Sequence, residues 1–211
     1  MLLSFSAWAK PPVKPSPVPA TLPPILVEIE KIYSQAETLA ADFKQEIEVV
    51  SMKQKKLSSG RILIKRPDKV RWETLKPQIN LLVSDGKTYW FYTPPFDEGE
   101  KGQLMTRKAS QIQSRLAQAL LSGRFSVAHD MKIRAEGANR FVLTPKAGSA
   151  GTVLKAEIQI NTEKKWIEKV ILHNQGGNLS VISLSRIELG TLLRDELFFF
   201  VAPPGTDRIR D

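Results

Sequence analysis

Between Gly60 and Tyr92 the chain is a succession of short apolar and aromatic runs separated by polar turns. Each run is too short to complete a helical stripe, and each is rich in β-branched or aromatic residues, so the segment reads as consecutive antiparallel strands. Asp85-Gly86, set between the strands at 79–84 and 88–93, is a two-residue hairpin signal of the type I′ kind. Side chains alternate across a strand, so Ile62, Ile64 and Arg66 fall on one face. A charge at the rim of an apolar face is costly unless something partners it, and this makes Arg66 the first residue to explain.

The rest of the chain extends the same pattern. Ile25, Leu26, Ile29, Ile32, Tyr33 and Ala36 recur at helical spacing behind Pro24, which predicts a helix from about 25 to 37. Strand-like alternation then begins near Leu39. A second helix is predicted over 109–121, with Ile112, Leu116, Ala119 and Leu120 on one side and Gly123 beyond its end. Residues 94–102 read as loop. Candidate strands follow at 127–134, 140–144, 153–161, 167–173, 180–188 and 197–201, and Pro203-Pro204-Gly205 is expected to end the fold. The order contains no strand–helix–strand rhythm, so a parallel sheet is not expected. The expected class is mostly β, an α+β chain built as one strongly curved antiparallel sheet or incomplete barrel. It has about ten or eleven strands, with the two helices over its hydrophobic concave face.

Composition narrows the function. The chain has 42% hydrophobic and 25% charged residues, which suits a globular domain, and no run of 18 apolar residues that would suit a membrane-spanning helix. Residues 1–9 end in Ala7-Trp8-Ala9, a small-x-small pattern that reads as the remnant of a secretory signal or, more plainly, as an apolar N-terminus. Residues 10–24 hold seven of the fourteen prolines and read as an extended linker, leaving 25–211 as the folded domain. There is no cysteine, hence no disulfide, thiolate nucleophile or lipid-modified N-terminal cysteine. The net charge of +9 comes without a helix-turn-helix, zinc finger or phosphate loop, which argues against nucleic acid and leaves an anionic lipid surface as the better-suited partner.

No catalytic constellation is present. His129 and His173 have no companion at metal spacing, no nucleophile elbow occurs, and Asp85 is already accounted for by its turn, so its pairing with Glu73 as a catalytic dyad is not expected. No metal, cofactor or enzymatic activity is expected. The apolar strands are more telling. Ile79, Leu81 and Val83 share one face by alternation, as do Val70 with Trp72, and Leu154, Ala156, Ile158 and Ile160. Such faces are ordinary core or, where two short helices leave the interior incompletely filled, the wall of a ligand cavity.

The blocks Ile62-Leu63-Ile64-Lys65-Arg66-Pro67, Arg71-Trp72-Glu73, Leu82-Val83-Ser84-Asp85-Gly86-Lys87-Thr88-Tyr89-Trp90-Phe91-Tyr92-Thr93-Pro94 and Phe141-Val142-Leu143-Thr144-Pro145-Lys146 together resemble the LolA family. The likeness runs from about Ile25 to Ile209. It implies a periplasmic chaperone that carries lipoproteins to the outer membrane. The carrier would be loaded by an inner-membrane ABC transporter and unloaded at an outer-membrane receptor lipoprotein of the same fold. The missing cysteine favours the soluble carrier, expected as a monomer, over that receptor. The resemblance also implies that Arg66 bonds lid carbonyls as a latch and that Ile29, Ile32, Ile112, Leu116 and Leu120 belong to the lid helices. The acyl-chain cavity would then be walled by Ile62, Ile64, Val70, Trp72, Leu81, Val83, Trp90, Phe91, Phe141, Leu143, Ile158 and Ile160. A carrier of another envelope lipid, and a sensor or adaptor that binds protein with the same sheet, are the alternative readings.

Overall fold

The computed structural model describes residues 22–111, 116–125, 131–145 and 152–209. Helix α1 (Pro24–Ala36) starts where Pro24 presets a helical φ, and the Pro23 carbonyl accepts from the Leu26 and Val27 amides at 2.9 and 3.2 Å. Its buried side is Leu26, Ile29 and Tyr33. Glu37, at φ 56°, turns the chain out of the helix and into β1 (Thr38–Val49).

After β1 come β2 (Gln54–Lys65), β3 (Lys69–Lys76), β4 (Asn80–Ser84), β5 (Thr88–Thr93) and β6 (Gln103–Lys108). Helix α2 (Leu116–Leu121) interrupts the sheet, which resumes with β7 (Met131–Ala135), β8 (Arg140–Pro145), β9 (Val153–Asn161), β10 (Trp166–Asn174) and β11 (Leu179–Leu189), and ends at β12 (Asp207–Ile209). All twelve lie in one sheet, in the order β12-β6-β5-β4-β3-β2-β1-β11-β10-β9-β8-β7. Every pairing is antiparallel except β12 on β6. Among the described residues the two edge strands, β12 and β7, do not meet, so the sheet is an unclosed barrel, as the order of elements in the sequence suggests.

Its curvature follows from reach. Six strand steps separate β5 from β10, about 29 Å across a flat sheet. Yet the six-residue α2 packs on β10 while its Gln118 accepts a hydrogen bond from Tyr89 of β5. Only a sheet curled around the helix meets both. The inner face holds the main core, from Phe43, Ile62 and Val70 on one side to Phe141, Leu143, Ile158 and Ile160 on the other, with Leu116, Leu120 and Leu121 of α2 between them.

Several details differ from the sequence reading. The β4–β5 connection is not a type I′ turn, which needs two residues at positive φ. Only Gly86, at 94°, is so placed, and the Asp85 carboxylate accepts from the Lys87 and Thr88 amides at 2.8 and 2.7 Å to close a longer loop. Strand β6 is not expected from the sequence, because Gln103–Lys108 has only Leu104 and Met105 as apolar residues, next to each other rather than alternating, and sits near the sheet edge. Leu154 lies in a register shift between β9 and β10 and is exposed, while Val153 is buried in its stead. The strand expected at 197–201 does not form, since Asp195–Phe198 is a 3-10 turn and 199–201 is irregular, and the chain continues past Pro203-Pro204-Gly205 into β12. The second predicted helix survives as a 3-10 turn at Ala109–Gln111 and α2; Ile112 and His129 lie outside the described residues, as do residues 1–21.

The outer face is also covered. Leu193 and Phe198 pack on Ala40 and Leu63, while Lys65 Nζ donates to the Leu193 carbonyl at 3.0 Å and to Asp195 at 2.6 Å. Phe199 meets Trp90 edge-on at 5.2 Å between ring centroids, and Phe200 lies 4.9 Å from Tyr92. The C-terminal segment thus forms an apolar strap behind β2–β5.

Candidate functional site

Arg66 follows β2 directly and stands where the two helices end. Its Nε donates to the Tyr33 carbonyl in the last turn of α1 at 3.0 Å, and its Nη2 donates to the Ser122 carbonyl just after α2. Helix C-termini leave carbonyls without intrahelical partners and carry partial negative charge, so one planar guanidinium suits both. Burial and, after it, the nearby Arg124 charge lower the Arg66 pKa, but a guanidinium remains charged at neutral pH. The backbone amide of Arg66 donates to the Glu37 carbonyl at 2.8 Å, which fixes the strand end against the α1 exit.

Further contacts tie α2 to the same corner. Arg124 Nη1 donates to Asp68 Oδ1 at 3.0 Å and to the Pro67 carbonyl at 3.2 Å. Gln118 Nε2 donates to the Asp68 carbonyl at 3.4 Å, while Gln118 Oε1 accepts from Tyr89 at 2.9 Å. Gly123 lies on the Tyr33 ring: at φ 67°, a Cβ there would come within 2.7 Å of it. Tyr33 is buried, and its hydroxyl accepts the Ile167 amide at 3.0 Å. Burial pushes its pKa up to about 12, against the lowering effects of that bond and of Arg66. The hydroxyl therefore stays protonated across the physiological range.

Below α2 lies a cavity of about 340 Å³, near the small end of the ~300–1,000 Å³ typical of ligand pockets. Ile62, Val70, Trp72 and Phe91 line it, with Gln45, Leu82, Tyr89, Leu172, Ser180 and Ile182 from the sheet and Ala117 and Gln118 from the helix. Ile64, Phe141, Leu143, Ile158 and Ile160 share the buried inner-face core without lining this space. Ile29, Leu116 and Leu120 are buried against that core, and Ile32 packs on it partly exposed.

Leu81, Val83 and Trp90 are corrections. Register pairs Trp72 with Leu82 and Leu82 with Phe91, which puts these three on the inner face. Val83 pairs with Arg71 and Trp90, and Leu81 with Glu73 and Tyr92, on the outer face. Leu81-Leu82-Val83 and Tyr89–Tyr92 are apolar or aromatic throughout because both faces are covered, so alternation alone does not fix their parity. The pairing of Trp72 opposite Leu82 is the signal that separates the faces. Glu73 is held by Arg71 on its own strand, and His173 Nε2 sits 2.8 Å from Glu157 on the outer face.

Residues 34–201 match the family described as "Outer membrane lipoprotein carrier protein LolA". The chain belongs to the LolA family. An "Outer-membrane lipoprotein carrier protein" of Dechloromonas aromatica (strain RCB) is 30% identical over 184 residues, covering 85% of each chain. Its namesake in Vibrio parahaemolyticus serotype O3:K6 is 31% identical over 182 residues, covering 85% of this chain and 83% of its own. Among solved structures, an uncharacterized conserved protein from Thermus thermophilus superposes with a TM-score of 0.53 at 15% identity, over 89% of this chain and 97% of that one, which bears on the fold alone. LolA proteins form a carrier family and not an enzyme family, in line with the absence of any catalytic constellation in the sequence.

Proposed function

We propose that this chain is a periplasmic carrier that shields lipoprotein acyl chains on their way from the inner-membrane ABC transporter to the outer membrane and its receptor lipoprotein. An acyl chain of about fifteen methylenes costs roughly 12 kcal/mol to expose to water, at about 0.8 kcal/mol per methylene. Unaided passage through an aqueous compartment is therefore negligible, and a carrier must cover that surface yet give it up without an energy source of its own.

The observation that carries this reading is Arg66 clasping the ends of both helices above an apolar cavity. The cavity is small when the helices are down, because Leu116, Leu120 and Leu121 occupy the rest of the interior. Acyl chains and lid leucines compete for one apolar face. Loading lifts α2 and breaks the bonds from Arg66 and Arg124. Release lets the leucines and the clasp re-form, which offsets part of the cost of losing the cargo. Lys in place of Arg66 keeps the charge but loses the planar fork that reaches two carbonyls.

The test is to add the purified chain to spheroplasts that are making lipoproteins and to analyse the medium by native mass spectrometry. A soluble complex of the chain with acylated protein is expected. Lipoproteins that stay in the membrane, or a complex with an unacylated partner only, refute the reading.

A further inference from the structure

We propose that the end of the sheet remote from Arg66, centred on the β1–β2 hairpin tip, is a docking surface for anionic bilayers. Strand β2 begins at Gln54 and ends next to Arg66, so its twelve residues set the tip about 40 Å from the clasp. The proposal goes beyond lipoprotein carriage and does not depend on it.

The tip brings exposed apolar and basic side chains together. Val50, Met52 and Leu57 are exposed there, Met52 by 55% and Leu57 by 65%, and Leu75 and Ile79 are exposed on the neighbouring β3–β4 turn. Large apolar side chains held in water at adjoining hairpin tips mark an interaction site. Lysines stand among them: Lys53, Lys55, Lys56 and Lys76 are all exposed. Lys55 is paired with Glu46 at 2.8 Å and reaches Glu48 at 4.0 Å. Lys53, Lys56 and Lys76 form no ion pair among the described residues. Beside Leu57 runs an open groove of about 800 Å³ that brings Lys44 and Lys169 to join Lys76, with Glu46 as its acidic member. The acidic stretch Asp97, Glu98 and Glu100 is in the next connection, between β5 and β6, and bounds the patch on that side.

The chemistry that fits is a bilayer interface. Protruding apolar side chains enter the boundary between headgroups and acyl chains, while lysines at the same level meet lipid phosphates. A polypeptide partner would call instead for an apolar groove, whereas the groove beside Leu57 is lined mainly by lysines, serines, Gln45 and Glu46, and the large apolar groups project. The tip is held stiff enough to present them: the Val50 amide donates to Asn178 Oδ1 at 3.1 Å, and the Lys53 amide closes the turn through the Val50 carbonyl at 3.1 Å.

The experiment is flotation of the full, cargo-free chain with vesicles of phosphatidylcholine alone or mixed with phosphatidylglycerol. Salt-sensitive binding to the mixed vesicles is expected. Replacing Lys53, Lys56 and Lys76 together by Ser should weaken it about 100-fold, at about five-fold for each lysine near an anionic surface. Replacing Val50, Met52 and Leu57 by Ser should also weaken it but leave its salt dependence. A control that removes the same charge elsewhere, at the exposed Lys31, Lys87 and Lys132, should bind as the unaltered chain does. All these positions are exposed, and matching thermal melts verify folding. Absence of binding to mixed vesicles, equal loss in the control, or capture of an acidic polypeptide by a photo-crosslinker at position 52 without vesicle binding overturns the proposal.

Discussion

Replacing Arg66 by Leu isolates the clasp from the rest of the fold. The side chain donates to two carbonyls, those of Tyr33 and Ser122. Hydrogen bonds to charged groups are worth about 1.5–3 kcal/mol each, so the pair sets an upper limit of about 3–6 kcal/mol. Arg66 is only partly buried and lies near Arg124, so water and repulsion reduce this, and about 2–3 kcal/mol is a reasonable share for holding the helices down. In a cycle where cargo binds only the open form, weakening the closed form by that amount tightens apparent binding by the same factor, roughly 30- to 150-fold. Release should slow accordingly. The assay is titration with a fluorescent diacylated peptide, followed by time-resolved transfer to acceptor vesicles. Arg66→Lys should fall between the two, since an ammonium serves one carbonyl well but not both. A folded Arg66→Leu protein with unchanged or weaker binding and normal transfer would refute the reasoning.

Other perturbations test the remaining parts. Gly123→Ala places a Cβ within 2.7 Å of the Tyr33 ring at a φ of 67°, so α2 should seat poorly, and its amides should exchange hydrogen faster than those of β10. Tyr33→Phe strands the Ile167 amide in the core and should cost about 1–3 kcal/mol in urea unfolding. For Glu157, burial raises the pKa, but hydrogen bonds from Lys155, His173 and Arg140 outweigh it and bring the carboxyl from its ordinary 4.5 down to about 2. Because the folded value is the lower one, this cluster's stabilisation is complete above pH 4.5 and is lost as the pH falls through about 2. Glu157→Gln should therefore destabilise by about 1–3 kcal/mol at neutral pH, with the difference from the unaltered protein shrinking over that acid window in denaturation curves.

The β-rich architecture, the buried side of α1 and the position of Arg66 were legible because each rests on local pattern: period two, period 3.6, and a charge in phase with isoleucines. The facing of Leu81, Val83 and Trp90 was not, because their strands are apolar on both sides. What makes them so is the strap at Leu193 and Phe198–Phe200, more than a hundred residues away in sequence. Cavity members such as Leu172, Ser180 and Ile182 come from the far half of the sheet, and only the β1–β11 pairing brings them opposite Trp72. Strand β6 and the edge strand β12 beside it escaped for the opposite reason, since neither is apolar enough to announce itself.

Acyl chains are expected to bind the inner face beneath the clasp. Trp72 lines that cavity, whereas Trp90 packs under Phe199 on the other side of the sheet. Tryptophan emission should therefore shift when a diacylated peptide is added, and the shift should persist in Trp90→Phe and vanish in Trp72→Phe. A response that survives loss of Trp72 and disappears with Trp90 would place the ligand on the outer face and contradict the account.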